Sequence, residues 1–120
     1  MANDQAVERR LKNIRYWTKD GIPHRKDGPA IVKDDGMEEW WVEGMLHRVR
    51  GPARKFPDGS RGWYQKHLLY RRDGPACEQS NGNKEWYYYE VLHRMDGPAV
   101  EHEDGRTEWH VFGHAAIAEP

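Results

Sequence analysis

The sequence predicts an all-β protein, a single-layer array of β-hairpin repeats, on three observations that share one period. Tryptophan recurs every 23 residues, at Trp17, Trp40, Trp63, Trp86 and Trp109. The tripeptide Gly-Pro-Ala keeps the same step, beginning at Gly28, Gly51, Gly74 and Gly97. A turn pair follows it too: Asp35-Gly36, Asp58-Gly59, Asn81-Gly82 and Asp104-Gly105. Markers held in one register without insertion describe a tandem array, whose small units bury apolar surface only by stacking on their neighbours. Four full units and the start of a fifth fit in 120 residues.

The expected elements run as follows. Asp4 is placed to cap a short helix over residues 4–13, with Val7, Leu11 and Ile14 on one face, lying on the array as a lid. The repeat domain then occupies residues 14–113. In each unit two antiparallel strands meet at the Asp-Gly pair, which favours the positive φ of a two-residue hairpin turn. Runs such as 39–43 and 85–89, rich in Trp, Tyr and Val, form one strand, and runs such as 30–34 and 99–103 form the other. The proline of Gly-Pro-Ala enters the latter, where a missing N–H is tolerated. Breaks fall at Gly21, Gly44, His67, Glu90 and Gly113. Core lines are expected along the tryptophans, along Pro23, Leu46, Leu69 and Leu92, and along Ile22, Met45, Leu68 and Val91. Trp40, Trp63 and Trp86 should stack as a buried ladder, with Trp17 and Trp109 less important at the ends. At ~4.8 Å per strand each unit advances ~10 Å. The tail, residues 114–120, covers the last strand edge or frays; a bare edge there would suit homodimerisation.

Composition narrows the class. Only 37% of the chain is hydrophobic and 32% is charged, which is lean for a compact globule. Six Trp and six Tyr compensate, since each buried aromatic removes roughly 150–250 Å² from water. A formal charge of −1 argues against a general nucleic-acid binder. The single cysteine, Cys77, excludes an internal disulfide and a cysteine-based zinc cage. No apolar run has the length of a signal peptide or a membrane span, so a cytoplasmic protein is expected.

The grammar resembles the MORN repeat, most closely at Phe56-Pro57-Asp58-Gly59-Ser60 and at Trp40-x-x-x-Gly44-x-x-His47. It departs from that family at His24-Arg25-x-Asp27-Gly28-Pro29-Ala30 and its counterparts, a variant similar to repeat proteins common in bacteriophages, giant viruses and some bacteria. The resemblance, over residues 14–113, implies successive β-hairpins, binding to proteins or sometimes lipids, and no shared catalytic chemistry. It also implies a small accessory protein that inhibits a host or defence factor.

Candidate site residues come from two columns. His24-Arg25, His47-Arg48, Tyr70-Arg71 and His93-Arg94 form an arginine stripe, suited to carboxylates or phosphates or else held by the aspartate two residues on. In the second unit Arg50 replaces that aspartate, so Arg48, Arg50, Arg54 and Lys55 form a local basic patch. The residues after each tryptophan, among them Trp41, Tyr64 and Tyr87, form an aromatic row of the kind found at protein interfaces, or one that only stabilises cross-strand pairs. The structural set is the five tryptophans with Gly28, Gly51, Gly74 and Gly97. Histidines ~10 Å apart cannot share one metal ion, and there is no phosphate loop or nucleophile elbow. No metal, cofactor or catalytic residue is expected. The expected function is therefore binding to another protein with an acidic surface. A lipid-surface adaptor and a nucleotide or nucleic-acid binder are the alternatives.

Overall fold

A computed structural model describes residues 5–117; Asp4, the proposed cap, and residues 118–120 of the tail lie outside them. Every described element is a strand. One antiparallel sheet runs the length of the molecule, in the order Val7–Leu11, Ile14–Lys19, Ile31–Lys33, Glu38–Glu39, Arg54–Lys55, Arg61–Gly62, Cys77–Glu78, Lys84–Glu85, Val100–Glu101, Thr107–Val111 and His114–Ala116. Ile22–Pro23 pairs off its second strand. Three separate two-stranded ribbons stand beside it: Trp41–Val42 with Met45–Leu46, Tyr64–Gln65 with Leu68–Leu69, and Tyr87–Tyr88 with Val91–Leu92. The molecule measures 57 × 34 × 18 Å, a thin body whose long axis follows the stacking of hairpins.

The N-terminal lid is not a helix. Val7–Leu11 is a strand paired with Ile14–Thr18 through a two-residue turn at Lys12-Asn13. Val7 and Leu11 share one side of a strand as readily as one face of a helix. The edge strand's unpaired backbone groups decide between the two, because only another strand can satisfy them. The period anticipates this, since residues 8–10 fall one step before Ile31–Lys33. The carboxylate of Glu8 fastens the hairpin, accepting from Arg15 Nε at 3.1 Å and Arg10 Nε at 3.3 Å. At the other end His114–Ala116 pairs with Trp109–Val111 and so continues the sheet.

Two kinds of turn alternate, and they sit the other way round from the expectation. At the Asp-Gly pairs only glycine has positive φ, +100°, +93°, +102° and +91° at Gly36, Gly59, Gly82 and Gly105. Gly36 N–H donates to Lys33 O at 3.0 Å and Lys33 N–H to Met37 O at 2.9 Å, the pattern of a type I turn closed by a glycine bulge. The aspartate acts through its side chain instead: Asp35 Oδ1 accepts from Met37 N–H at 2.9 Å. The two-residue turns with positive φ at both positions fall at the breaks: Asp20-Gly21, Glu43-Gly44, Lys66-His67, Tyr89-Glu90 and Phe112-Gly113. These close the ribbons.

Tryptophan joins ribbon to sheet through its backbone. Trp40 N–H donates to Ala53 O at 2.7 Å and Trp40 O accepts from His47 N–H at 3.0 Å; Trp17, Trp63 and Trp86 repeat both bonds. Ala30, Ala53, Ala76 and Ala99 at these junctions are fully buried. Burial of the rings departs from the expected ladder. Trp63 is buried, Trp40 and Trp86 are half-buried, and terminal Trp17 is as buried as Trp63. Among the described residues no two tryptophan rings pair. The line Ile22, Met45, Leu68, Val91 is exposed, because in a short strand it faces away from its buried neighbour Leu46 and that residue's counterparts.

Successive ribbons are tied edge to edge. Gly44 N–H donates to Pro23 O at 2.9 Å, His67 to Leu46 O at 2.8 Å, and Glu90 to Leu69 O at 2.9 Å. Side chains complete the seam: Leu46 N–H reaches His67 Nδ1 at 3.1 Å and Leu69 N–H reaches Glu90 Oε1 at 2.9 Å. Facing Gly44, which has no such acceptor, is Pro23, which has no N–H to satisfy. Leu69→Pro and Glu90→Gly each strand one half of this contact, whereas the double variant recreates the Pro23/Gly44 pair. Its loss of stability in urea should be smaller than the sum of the singles by on the order of 1 kcal/mol. Strict additivity would show that the seam contributes nothing.

Candidate functional site

The arginine column is built into the fold by four contacts. The guanidinium of Arg25, Arg48, Arg71 and Arg94 lies over the ring of Trp17, Trp40, Trp63 and Trp86, at 3.9, 3.9, 3.9 and 4.0 Å from its centroid. Nη1 donates to the carbonyl of Pro29, Pro52, Pro75 or Pro98, at 3.1 Å in every case. On the guanidinium's other side a Cβ placed on Gly28, Gly51, Gly74 or Gly97 would stand 2.7–2.8 Å from Cζ. Glycine is needed there for close approach, since none of the four has positive φ. The adjoining proline supplies the acceptor and the alanine the buried junction, which together account for Gly-Pro-Ala.

Carboxylates form the fourth contact, and here the units differ. Arg25 Nε donates to Asp27 at 3.0 Å. Arg71 reaches Asp73 at 3.3 Å and Glu78 at 3.1 Å, and Arg94 reaches Asp96 at 3.2 Å and Glu101 at 2.9 Å. Arg48 makes no ion pair among the described residues, because Arg50 stands where the other units place Asp, and Lys55 where the third and fourth place Glu78 and Glu101. It still keeps its place over Trp40. The aspartates are almost fully exposed, and such surface pairs are worth ~0–1 kcal/mol. A guanidinium on an indole face contributes ~0.5–2 kcal/mol depending on desolvation. Ring and carbonyl therefore set the position, and the acid only neutralises it. Burial pulls the Arg48 guanidinium below its usual pKa, with the charge of Glu38 opposing.

The histidine column is structural in the same way. Nδ1 of His24, His47 and His93 accepts from the N–H of Glu43, Lys66 and Phe112, at 2.8, 3.0 and 2.8 Å, at the start of the next ribbon turn. Where Tyr70 replaces histidine, its ring stacks on Tyr89 with centroids 4.3 Å apart.

The structure divides the sequence-predicted patch. Arg48 and Arg50 line one open cleft of about 930 Å³, with Trp63, Gln65, Tyr70, Arg71 and Arg72 among its other walls. Arg54 and Lys55 lie on the sheet and are paired, Arg54 Nε with the buried Glu39 at 2.8 Å and Lys55 Nζ with Glu38 at 3.7 Å. Trp41, Tyr64 and Tyr87 fall outside the cleft walls and are half-buried. Trp41 Nε1 donates to Glu39 at 3.2 Å, Tyr87 Oη to Glu85 at 3.4 Å, and the Tyr64 ring covers Gly62. Sequence reasoning missed Arg72, and it named Tyr70 only as a member of the arginine column. The sign was available: Tyr70-Arg71-Arg72 is the one place where the His-Arg column carries a second arginine directly after the first.

Arg48, Arg50 and Arg72 form no ion pair among the described residues, and they share this cleft. The cleft one unit on, about 710 Å³, shares the wall of Arg71, Arg72 and Asp73 with this one, and at the positions that correspond to Arg50 and Arg72 it has Asp73 and Met95. Among the described residues no group of three or more His, Cys, Asp or Glu side chains is placed to hold a metal ion, and no helix is long and apolar enough to cross a membrane. Compared with protein-family models, curated proteins and solved structures, the chain matches none.

Two outcomes follow. Gly74→Ala forces the Arg71 guanidinium off Trp63 and should cost ~1–2 kcal/mol in a denaturant melt; an unchanged midpoint would mean that the guanidinium is not needed where it lies. Cys77 is half-buried beside Glu85, and burial first, then that charge, pushes its thiol up to about 11. Roughly one molecule in a thousand is then thiolate at pH 8, so iodoacetamide should modify Cys77 about a hundredfold more slowly than an exposed thiol. Equal rates would contradict the burial.

Proposed function

We propose that this protein is a non-enzymatic protein-binding module of four full MORN-like units and a partial fifth, which receives an acidic segment of its partner in the cleft of Arg48, Arg50 and Arg72. The observation that carries the reading is the gathering of three arginines without ion pairs in one cleft, while the rest of the column is matched with carboxylates. Arg48 is half-buried with no direct ion pair and only the charge of Glu38 acting on it, so it gains from an incoming carboxylate, and exposed Arg50 and Arg72 add attraction from the rim. Tyr70, half-buried beside it, offers aromatic surface of the kind that anchors interfaces. The resemblance of its repeat to those of viral and bacterial proteins supports reading such a module as an accessory protein that blocks a host or defence factor by direct contact.

The test is isothermal titration with a hexaglutamate peptide, using the parent, Arg50→Asp and Arg72→Asp. The parent should bind with an affinity that falls as salt rises. Each variant should weaken binding by about tenfold or more, the scale of one lost charge-assisted contact. Arg50→Asp also gives Arg48 the carboxylate its counterparts have, so its melting temperature should be equal or slightly higher. Unchanged affinity in both variants would remove the cleft from the binding surface and return the column to a purely structural role.

A further inference from the structure

Four of the five tryptophans in register carry a guanidinium, and the fifth does not. Arginine follows its tryptophan by eight positions at Arg25, Arg48, Arg71 and Arg94; eight positions after Trp109 stands Ile117. Ile117 is 95% exposed and covers nothing. Among the described residues no guanidinium lies over Trp109, whereas the other four rings hold one within 4.0 Å. In its place is an open hollow of about 450 Å³, lined by Thr107, Glu108, Trp109, His110, Ala115, Ala116 and Ile117.

The hollow has one charged wall, the carboxylate of Glu108. Glu108 is ionised at neutral pH, its carboxyl held below the usual range by hydrogen bonds first from His102, at 2.6 Å, and then from His110, at 3.3 Å. A carboxylate only accepts, so His110 presents its Nε2 proton to Glu108. An indole face beside a carboxylate suits a planar cation with several N–H donors. The molecule itself supplies the precedent for which cation: on four equivalent rings it is a guanidinium that also needs an oxygen acceptor.

We propose that the Trp109 hollow is a receptor for an arginine side chain presented by another protein, distinct from the basic cleft and independent of it. The incoming guanidinium lies on the Trp109 face and donates to Glu108. Lysine is a poor substitute, since its ammonium is more strongly hydrated and has no plane to stack. The two sites are of opposite character, so a single partner could engage both only by offering an acidic and an arginine-bearing segment.

The probe is a synthetic heptapeptide with the sequence of residues 93–99, His-Arg-Met-Asp-Gly-Pro-Ala, which carries the guanidinium as the array itself displays it. A second peptide has lysine in place of its arginine. Binding is read from the Trp109 indole N–H resonance of the full chain, assigned by its loss in Trp109→Leu. The arginine peptide should shift that resonance saturably, and the lysine peptide should bind about tenfold or more weakly. Ile117→Arg, made at an exposed position, offers a guanidinium from within the chain. It should raise the melting temperature and reduce peptide binding. No saturable shift at millimolar peptide, equal binding of the two peptides, or undiminished binding in Ile117→Arg would overturn the proposal. Failure here leaves the hexaglutamate result untouched, and the reverse holds as well.

Discussion

The structure depends on one contact, a guanidinium held between an indole face and a glycine Cα. Each partner answers a physical need of the others. The tryptophan ring is the largest apolar surface a unit owns, and in a thin sheet it cannot be covered on both sides by aliphatic residues. A planar cation covers it while keeping its N–H donors in reach of a carbonyl, here that of the proline after the glycine. A side chain on that glycine would overlap the guanidinium. The repeated sequence marks are thus parts of one assembly rather than separate devices for turning the chain.

Because arginine caps the tryptophans, the array does not need a continuous hydrophobic core, and so 37% hydrophobic residues suffice. Its units communicate through backbone bonds instead. Trp17, Trp40, Trp63 and Trp86 each bond their own unit's alanine and ribbon, and each ribbon turn bonds the ribbon before it. Histidine Nδ1 and, in two places, the side chains of His67 and Glu90 satisfy N–H groups along this seam. Lys66-His67 and Tyr89-Glu90 adopt left-handed backbone without glycine, a conformation that costs roughly 1–2 kcal/mol per residue. The bonds that His67 and Glu90 make to the neighbouring leucines offset part of that cost.

The period made the strand class and the antiparallel hairpin array legible in the sequence. It did not reveal what lies on the tryptophan, because a column of identical rings suggests ring-on-ring stacking, and the arginine eight residues on contacts it only through the ribbon's reversal. The turn types were read in exchange for one another. Asp-Gly suits a two-residue turn, but Lys33 and Met37 pair across Asp35-Gly36 and enlarge it to a bulged one. The N-terminal segment failed for a different reason. Val7, Leu11 and Ile14 are spaced for a helix as well as for a strand, and only the demand of a sheet edge for backbone partners separates the two. Of the basic patch, Arg48 and Arg50 were legible as a break in the pattern. Arg54 and Lys55 were not separable from them, since their partners Glu39 and Glu38 lie across a strand pairing that sequence proximity hides.

The most direct measure of the central claim is a double-mutant cycle between Trp63 and Arg71, using Trp63→Phe and Arg71→Lys with urea denaturation of all four proteins. Both substitutions keep the character of the side chain while degrading the stack, so each single variant should fold. The account predicts a coupling energy of about 1 kcal/mol or more, with Arg71→Lys costing much less once the indole is gone. Additive losses would contradict it: arginine would then be held by Pro75 and the flanking carboxylates alone, and the tryptophan would be an ordinary buried ring.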